Sequence, residues 1–381
     1  MKCLFFLKFI FLSFTLLSQT PTFQKLDSNM AIKEIDSSGI RWLDPRVEPF
    51  SVIGFEWIKN NGLFRRLPLN PDWKITDDVD ELSNQTAGGQ IRFQTNSRKI
   101  LLKVHLTEKS GMFHMTATGQ SGFDLYVETN NTQRYVKTAR FSVNDTIYEA
   151  ELLNNEKQKM QSYTLNFPLY NGVSSVSVGL EQDAITKRPL PFKRSGKFVI
   201  YGTSITQGGC VSRPGNVYSN ILSRKLDVEF INLGFSGSGK GEPEMAHIIN
   251  QISNISFIIL DYEANAFGTI QNTLEPFVNI LRSKHPYTPL LIMSKTRHAS
   301  AIDGSKGYKQ LIKNRDFQLN IVNQKRKKGD AEIYFLDGSK VLGDDYYECS
   351  VDGSHLTDLG SYRVAEGLYK KINEILKHKT K

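Results

Sequence analysis

Four short segments of this 381-residue chain hold groups able to attack a carbonyl or relay a proton. The first is Tyr201-Gly-Thr-Ser204-Ile-Thr-Gln-Gly-Gly. At a tight strand-to-helix turn, with Gly202 relieving the backbone, a serine hydroxyl is placed where a nucleophile would sit. Position 206 is Thr, so the second glycine of a Gly-x-Ser-x-Gly elbow is missing, which disfavours an α/β-hydrolase of the lipase kind. The second segment, Asn232-Leu-Gly234-Phe-Ser-Gly237-Ser-Gly239-Lys240-Gly241, nearly matches a phosphate-binding loop. Position 241 has no hydroxyl to hold magnesium, so a nucleotide enzyme is disfavoured. A loop whose backbone amides approach a substrate oxygen is the better reading, set against a plain turn. The third, Asp261-Tyr-Glu-Ala-Asn265, offers an amide that either donates into the same pocket or caps a helix. In the fourth, Val351-Asp352-Gly-Ser-His355, a carboxylate three residues from an imidazole can fix its tautomer while the ring takes a proton from a hydroxyl. Each is common alone. Their joint order, each following an expected strand or beside the pocket, points to an activated serine.

Weaker candidates surround these. Arg213, in Gly209-Cys-Val-Ser-Arg-Pro-Gly, could reach an anionic sugar, and Tyr346 and Tyr347 could stack on a pyranose ring. No His-Glu-x-x-His, Cys-x-x-Cys or dense acidic cluster occurs, so no metal site is expected.

The elements that must position these groups fall into two patterns. From Ile40 to about Gly179, short alternating runs are separated by Gly, Asn, Asp and Ser clusters. Ile91–Thr95, Ile100–Leu106, Phe113–Ala117, Asp124–Val127 and Tyr163–Phe167 each suit a half-buried strand, and together they predict a β-sandwich. Trp42, Trp57 and Trp73 are expected in its core or at its edge. After Gly196 the apolar runs Phe198–Tyr201, Phe230–Leu233, Phe257–Leu260, Leu290–Met293 and Ile333–Leu336 are short, near-continuous and separated by longer amphipathic stretches. That is the pattern of a parallel sheet buried on both faces in a doubly wound α/β layer, whose ligands bind at the strands' carboxyl ends.

Composition supports two folded parts. With 39% apolar and 23% charged residues, 28 Gly, 13 Pro and 3 Cys, the chain is neither disordered, nor collagen-like, nor a disulfide-stapled miniprotein. Its formal charge of +9 is scattered apart from Lys325–Lys328 and Lys377–Lys381, which read as solvated faces, so nucleic acid is not expected as a partner. The start, MKCLFFLKFIFLSFTLLSQT, reads as a secretory signal peptide over residues 1–19; its removal would lower the charge by two to +7. The mature chain is expected to be exported, periplasmic or secreted, with no membrane partner. The expected organisation is a sandwich over 30–182, a linker over 183–195 and an α/β domain over 196–381.

The chain resembles the SGNH (GDSL-type) hydrolase superfamily, in the branch whose N-terminal sandwich carries a Gly-x-Asp-Leu-Tyr signature, here Gly122-Phe-Asp124-Leu-Tyr126. The resemblance implies a three-layer α/β/α domain with a flavodoxin-like parallel sheet, preceded by a jelly-roll-like β-sandwich. It implies Ser204 as nucleophile, His355 as base and Asp352 as its orienter, with the Ser204 amide, Gly237 and Asn265 as oxyanion donors. It also implies no metal or organic cofactor. Thr203 stands where the superfamily has Asp, Leu356 follows His where Pro is common, and Glu263-Ala264 precedes Asn where the branch often has Leu-Pro. Cys210 and Cys349 flank the serine and histidine loops, and in an oxidising compartment a disulfide between them would tether the two; the alternative is two unrelated small residues.

The expected activity is removal of acyl groups, O-acetyl above all, from an acylated carbohydrate. A lipid or general carboxylesterase is the alternative within enzymes, and a glycan-binding protein with a vestigial hydrolase domain is the alternative outside them. The sequence carries no signal of oligomeric state.

Overall fold

The computed structural model describes residue 27, residues 31–32 and residues 34–379, so the expected leader lies outside the described residues. Contacts gather Ile35–Lys381 into one compact unit. Within it, strands β1 (Ile40–Leu43), β2 (Ser51–Ile53), β3 (Gln90–Thr95), β4 (Lys99–Leu106), β5 (Asp124–Thr129), β6 (Thr132–Thr138), β7 (Ile147–Asn154), β8 (Gln161–Asn166), β9 (Val173–Glu181) and β10 (Thr186–Lys187) build the N-terminal part. One antiparallel sheet runs β1-β9-β4-β7 and the other β10-β3-β8-β5-β6, with β2 also on β3. Alternation along these strands sends Phe93, Leu102, Val104, Leu165 and Val178 into a shared core with Phe123 and Phe167 between the sheets, the arrangement of a β-sandwich. Residues 184–190 run along this sandwich: they hold β10, and Arg92 Nη2 donates to the Leu190 carbonyl at 3.0 Å.

Short helices α1 (Ile58–Asn61), α2 (Asp77–Leu82) and α3 (Ala117–Gln120) interrupt the strands. The run Phe113–Ala117, expected as a strand, is instead a loop entering α3. The Thr116 hydroxyl accepts from the Gly119 amide at 3.2 Å, a helix N-cap that takes the local backbone away from a ladder. Trp57 and Trp73 also depart from expectation. With Leu67, Ile75 and Val79 they pack on the core of the α/β part, and Trp73 stacks on His247 at 4.7 Å. Trp42 stays on the sandwich, beneath the Lys103 ammonium.

The α/β part contains β11 (Lys197–Gly202), β12 (Glu229–Gly234), β13 (Ile255–Asp261), β14 (Leu290–Met293) and β15 (Ile333–Leu336). All pairings are parallel, in the order β12-β11-β13-β14-β15. The helices are α4 (Ser204–Gln207), α5 (Tyr218–Leu226), α6 (Pro243–Ile249), α7 (Ile270–Lys284), α8 (Lys306–Lys327) and α9 (Asp358–Lys379). The central strand β11 buries both faces: Phe198 and Ile200 pack with α5 and α9, Val199 and Tyr201 with α6 and α7. The result is a three-layer α/β/α domain. Chain order reverses on either side of β11, which opens a crevice at the carboxyl ends of β11 and β13.

Candidate active site

Ser204 opens α4 immediately after β11 and is 8% exposed. Thr203 caps the helix: its Oγ1 accepts from the Ile205 amide at 3.3 Å, while Thr206 Oγ1 accepts from the Thr203 amide at 3.2 Å. This reciprocal box fixes the turn with hydroxyls at Thr203, where the superfamily has a carboxylate, and at Thr206. The turn leaves no room for side chains. A Cβ on Gly202 would lie 1.9 Å from Thr206 Oγ1, and one on Gly239 would lie 2.1 Å from the Gly202 carbonyl.

His355 Nε2 lies 2.9 Å from Ser204 Oγ, and His355 Nδ1 lies 2.7 Å from Asp352 Oδ2. Partial burial pushes the Asp352 carboxyl up, but hydrogen bonds from the His355 ring and from the His355 and Ser354 amides outweigh it and hold the group at about 2. An ionised carboxylate only accepts, so Nδ1 carries the ring proton and Nε2 accepts from the serine hydroxyl. The loop bearing the pair is closed by the Val351 amide donating to the His355 carbonyl at 2.8 Å and by the Thr357 amide donating to Cys349 O at 2.9 Å.

On the other side stands the 234–241 loop. Gly237 has φ +69°, with open space where a Cβ would point, and among the described residues neither its amide nor that of Ser204 donates to another protein group. Asn265 Nδ2 donates to Phe235 O at 3.1 Å, which ties the amide to the same loop and leaves one N–H. Glu263 steadies this corner. Its carboxylate accepts from the Lys295 amide, Gln318 Nε2 and Asn314 Nδ2 at 2.6, 2.7 and 3.1 Å, bracing the turn against α8. Where the branch often has Leu-Pro, this chain fixes the approach to Asn265 by a buried carboxylate.

The sandwich reaches the site from beneath. The fully buried Arg66 donates to the carbonyls of Gly234, Leu82 and Gln85, and lies over the Phe235 ring at 4.6 Å. Burial pushes its guanidinium down to about 9. Tyr170 OH donates to the Ser204 carbonyl at 2.9 Å. A residue that the motifs did not flag, His114, stands with its ring centroid 5.4 Å from that of His355, nearly perpendicular at 68°. No sequence signal marked it, because its segment alternates like a strand.

Among the weaker expectations, those for Arg213 and for the disulfide are corrected. Arg213 is not free for substrate: Nη1 donates to Asp124 Oδ2 at 2.9 Å and to Tyr126 OH at 2.5 Å, and the guanidinium covers Tyr135 at 3.9 Å. Asp124 also accepts from the Gly215 amide and from Asn166 at 2.8 and 2.7 Å. The Gly-x-Asp-Leu-Tyr signature is therefore a buried latch between the two parts. Tyr346 lies under Arg297 at 4.1 Å and lines a surface groove with Asp303 and Tyr308 that includes none of Ser204, Asp352 or His355. Tyr347 meets its edge and is itself exposed. Cys210 and Cys349 are free, buried thiols rather than a disulfide. Cys349 Sγ faces Leu342 O and Arg363 beneath α9, whereas Cys210 packs in a separate cluster with Met115 and Tyr170. The loops are joined instead by the Cys210 amide donating to Leu356 O at 2.8 Å.

His114, Cys210 and His355 each place one ligand-type atom within 4.8 Å of the others. Zinc would need a thiolate and free imidazole nitrogens. Burial, with the Asp352 charge, pushes the Cys210 thiol up to about 12, and both His355 nitrogens are engaged.

A hydroxyl, imidazole and carboxylate in line beside unspent amides, at the switch point of a parallel sheet, define a serine acyl-transfer site. Residues 195–373 match the GDSL-like lipase/acylhydrolase family, and residues 40–186 match the GxDLY N-terminal domain of SGNH-hydrolase-type esterases. A Bacteroides ovatus protein described as a GDSL-like lipase is 30% identical over 89% of this chain and 98% of its own, with a TM-score of 0.81. The chain belongs to this GDSL-like SGNH esterase family. The salicylyl-acyltransferase SsfX3 of a tetracycline biosynthetic pathway (18% identity, TM-score 0.71) and a family two carbohydrate esterase from Cellvibrio japonicus (12%, 0.56) share the fold, each over 89% of this chain and 98% of theirs. A search of curated proteins finds no match.

Proposed function

We propose that this chain is an exported serine esterase that removes O-acetyl groups from a carbohydrate. The observation that carries the reading is the unbroken relay from Ser204 Oγ through His355, at 2.9 Å, to Asp352, at 2.7 Å. His355 Nε2 takes the Ser204 proton as Oγ attacks the ester carbonyl, and the oxyanion is held by the Ser204 and Gly237 amides and Asn265 Nδ2. The imidazolium, stabilised by Asp352, gives its proton to the leaving alcohol. Water then attacks the acetyl-enzyme with His355 again as base, releasing acetate.

The carbohydrate is supported by the leader read over residues 1–19, by the appended sandwich, and by the fold shared with carbohydrate esterases. The alternative of a vestigial domain requires a lost reacting group, and none is lost. The test is acetate release from acetylated xylan and acetylated pectin by wild type and Ser204→Ala. Wild type is expected to release acetate, and Ser204→Ala to lose a factor on the order of 10³ to 10⁴ or more with an unchanged melting temperature. Equal, negligible rates from both chains would favour a glycan-binding role. Activity confined to long-chain acyl esters would favour a lipid esterase.

A further inference from the structure

An ester held on Ser204 has two halves, and the relay described above accounts for one. Its carbonyl oxygen turns to the amides of Ser204, Gly237 and Asn265. Its alcohol oxygen must stand beside His355 Nε2, because that nitrogen protonates it as it leaves. A group that stands against the His355 ring, and is not already part of the relay, is a candidate to border the alcohol.

The sandwich supplies such a group on the loop before α3. A ring nitrogen of His114 lies within 4.8 Å of one on His355. Its Nδ1 is buried and has no hydrogen-bond partner. The other ring nitrogen, Nε2, is neither sealed in nor hydrogen-bonded among the described residues, so it is the one open to an incoming group. Next to it Phe113 is 94% exposed, its ring stacked on that of His114 at 4.5 Å. The loop is anchored at both ends. Gln120 Oε1 accepts from the Gly111 and Met112 amides at 3.0 and 3.2 Å, and Thr116 Oγ1 donates to Ser212 O at 2.9 Å, while Met115 packs with Cys210 and Val211.

We propose that Phe113 and His114 form the subsite for the alcohol half of the ester, so that the accessory sandwich reads the sugar. An exposed aromatic face accepts the C–H face of a pyranose, and the open Nε2 of His114 exchanges a hydrogen bond with a ring hydroxyl. This rests on the acetylesterase reading above.

The test compares two acetyl esters with the same acyl group and different alcohols: ethyl acetate and a per-O-acetylated methyl xyloside, each followed by proton release. In Phe113→Ala and His114→Ala the ratio of kcat/KM for the xyloside to that for ethyl acetate is expected to fall about tenfold or more, through KM in the Phe113 variant. His114→Gln, which keeps a hydrogen-bonding group, should recover part of the ratio. A ratio held within twofold in both variants, or equal losses on both esters, overturns the subsite and leaves the esterase reading intact. A wild type that cleaves neither ester overturns both. Melting temperatures of the variants distinguish selectivity from misfolding.

Discussion

Ser204 is 8% exposed at the end of a strand buried on both faces, whereas the Asp352 and His355 side chains, 30% and 27% exposed, stand on a surface loop. The nucleophile and oxyanion side is held by a capping box, by glycines pressed against backbone, and by Arg66 and Tyr170 reaching up from the sandwich. The imidazole side is held by a few backbone hydrogen bonds and by the Asp352–His355 contact itself. Groups that must meet developing charge with no reorganisation are built into the rigid sheet, and the group that carries protons in and out is left partly hydrated. Function and stability should therefore separate between the two sides.

The largest effect tests the exposed side. Asp352→Asn keeps the shape but favours the wrong His355 tautomer, so turnover is expected to fall by a factor on the order of 10³ to 10⁴, with only a modest fall in melting temperature at neutral pH that shrinks as pH falls toward about 2. The carboxyl is held at about 2, so its ionised form contributes stability above the unfolded value near 3.8 and loses it as pH falls through about 2. A large drop in melting temperature at pH 7 would mean that this loop is as structural as the other side. The next effect tests the buried side. Arg66→Met removes the donor to three carbonyls at the base of the oxyanion loop and is expected to cost about 3 to 5 kcal/mol in denaturant unfolding. A variant that unfolds like wild type would remove Arg66 from the scaffold of the site.

The same contrast explains what the sequence discloses. Strands β11 to β15 were legible because burial on both faces leaves short, near-continuous apolar runs, and the polar residues after each run stand out against them. The contacts from the sandwich were not. Arg66 and Arg213 look like surface charges until a distant Gly234 carbonyl or Asp124 carboxylate is placed beside them, and no local spacing encodes that partner. Trp73 reads as sandwich core for the same reason, although the α/β part covers it. At Phe113–Ala117 alternation imitates a strand, yet Thr116 caps a helix and Phe113 faces solvent, so the period reflected residue types rather than a half-buried ladder. The cysteine loops do converge, but the sulfurs turn into separate clusters, which loop proximity alone does not reveal.

The smallest effect concerns a carboxyl that the relay does not use. Asp261, at the end of β13, is buried and accepts from Tyr218 OH at 2.6 Å and Thr206 Oγ1 at 3.2 Å. Burial pushes it up to about 7, against the lowering effect of those hydroxyls. Between about pH 4 and 7 the folded chain keeps a proton that the unfolded chain has lost, so the stability gained from this group is complete below about 4 and declines as pH rises through 7. Asp261→Asn keeps an acceptor for both hydroxyls and has no proton to lose. Its melting temperature relative to wild type is therefore expected to rise by about 2 to 5 °C between pH 5 and pH 8. Because Thr206 belongs both to this cluster and to the Ser204 cap, a constant difference across that range would show that the carboxyl is already ionised and that the buried side tolerates a charge against the cap of its nucleophile.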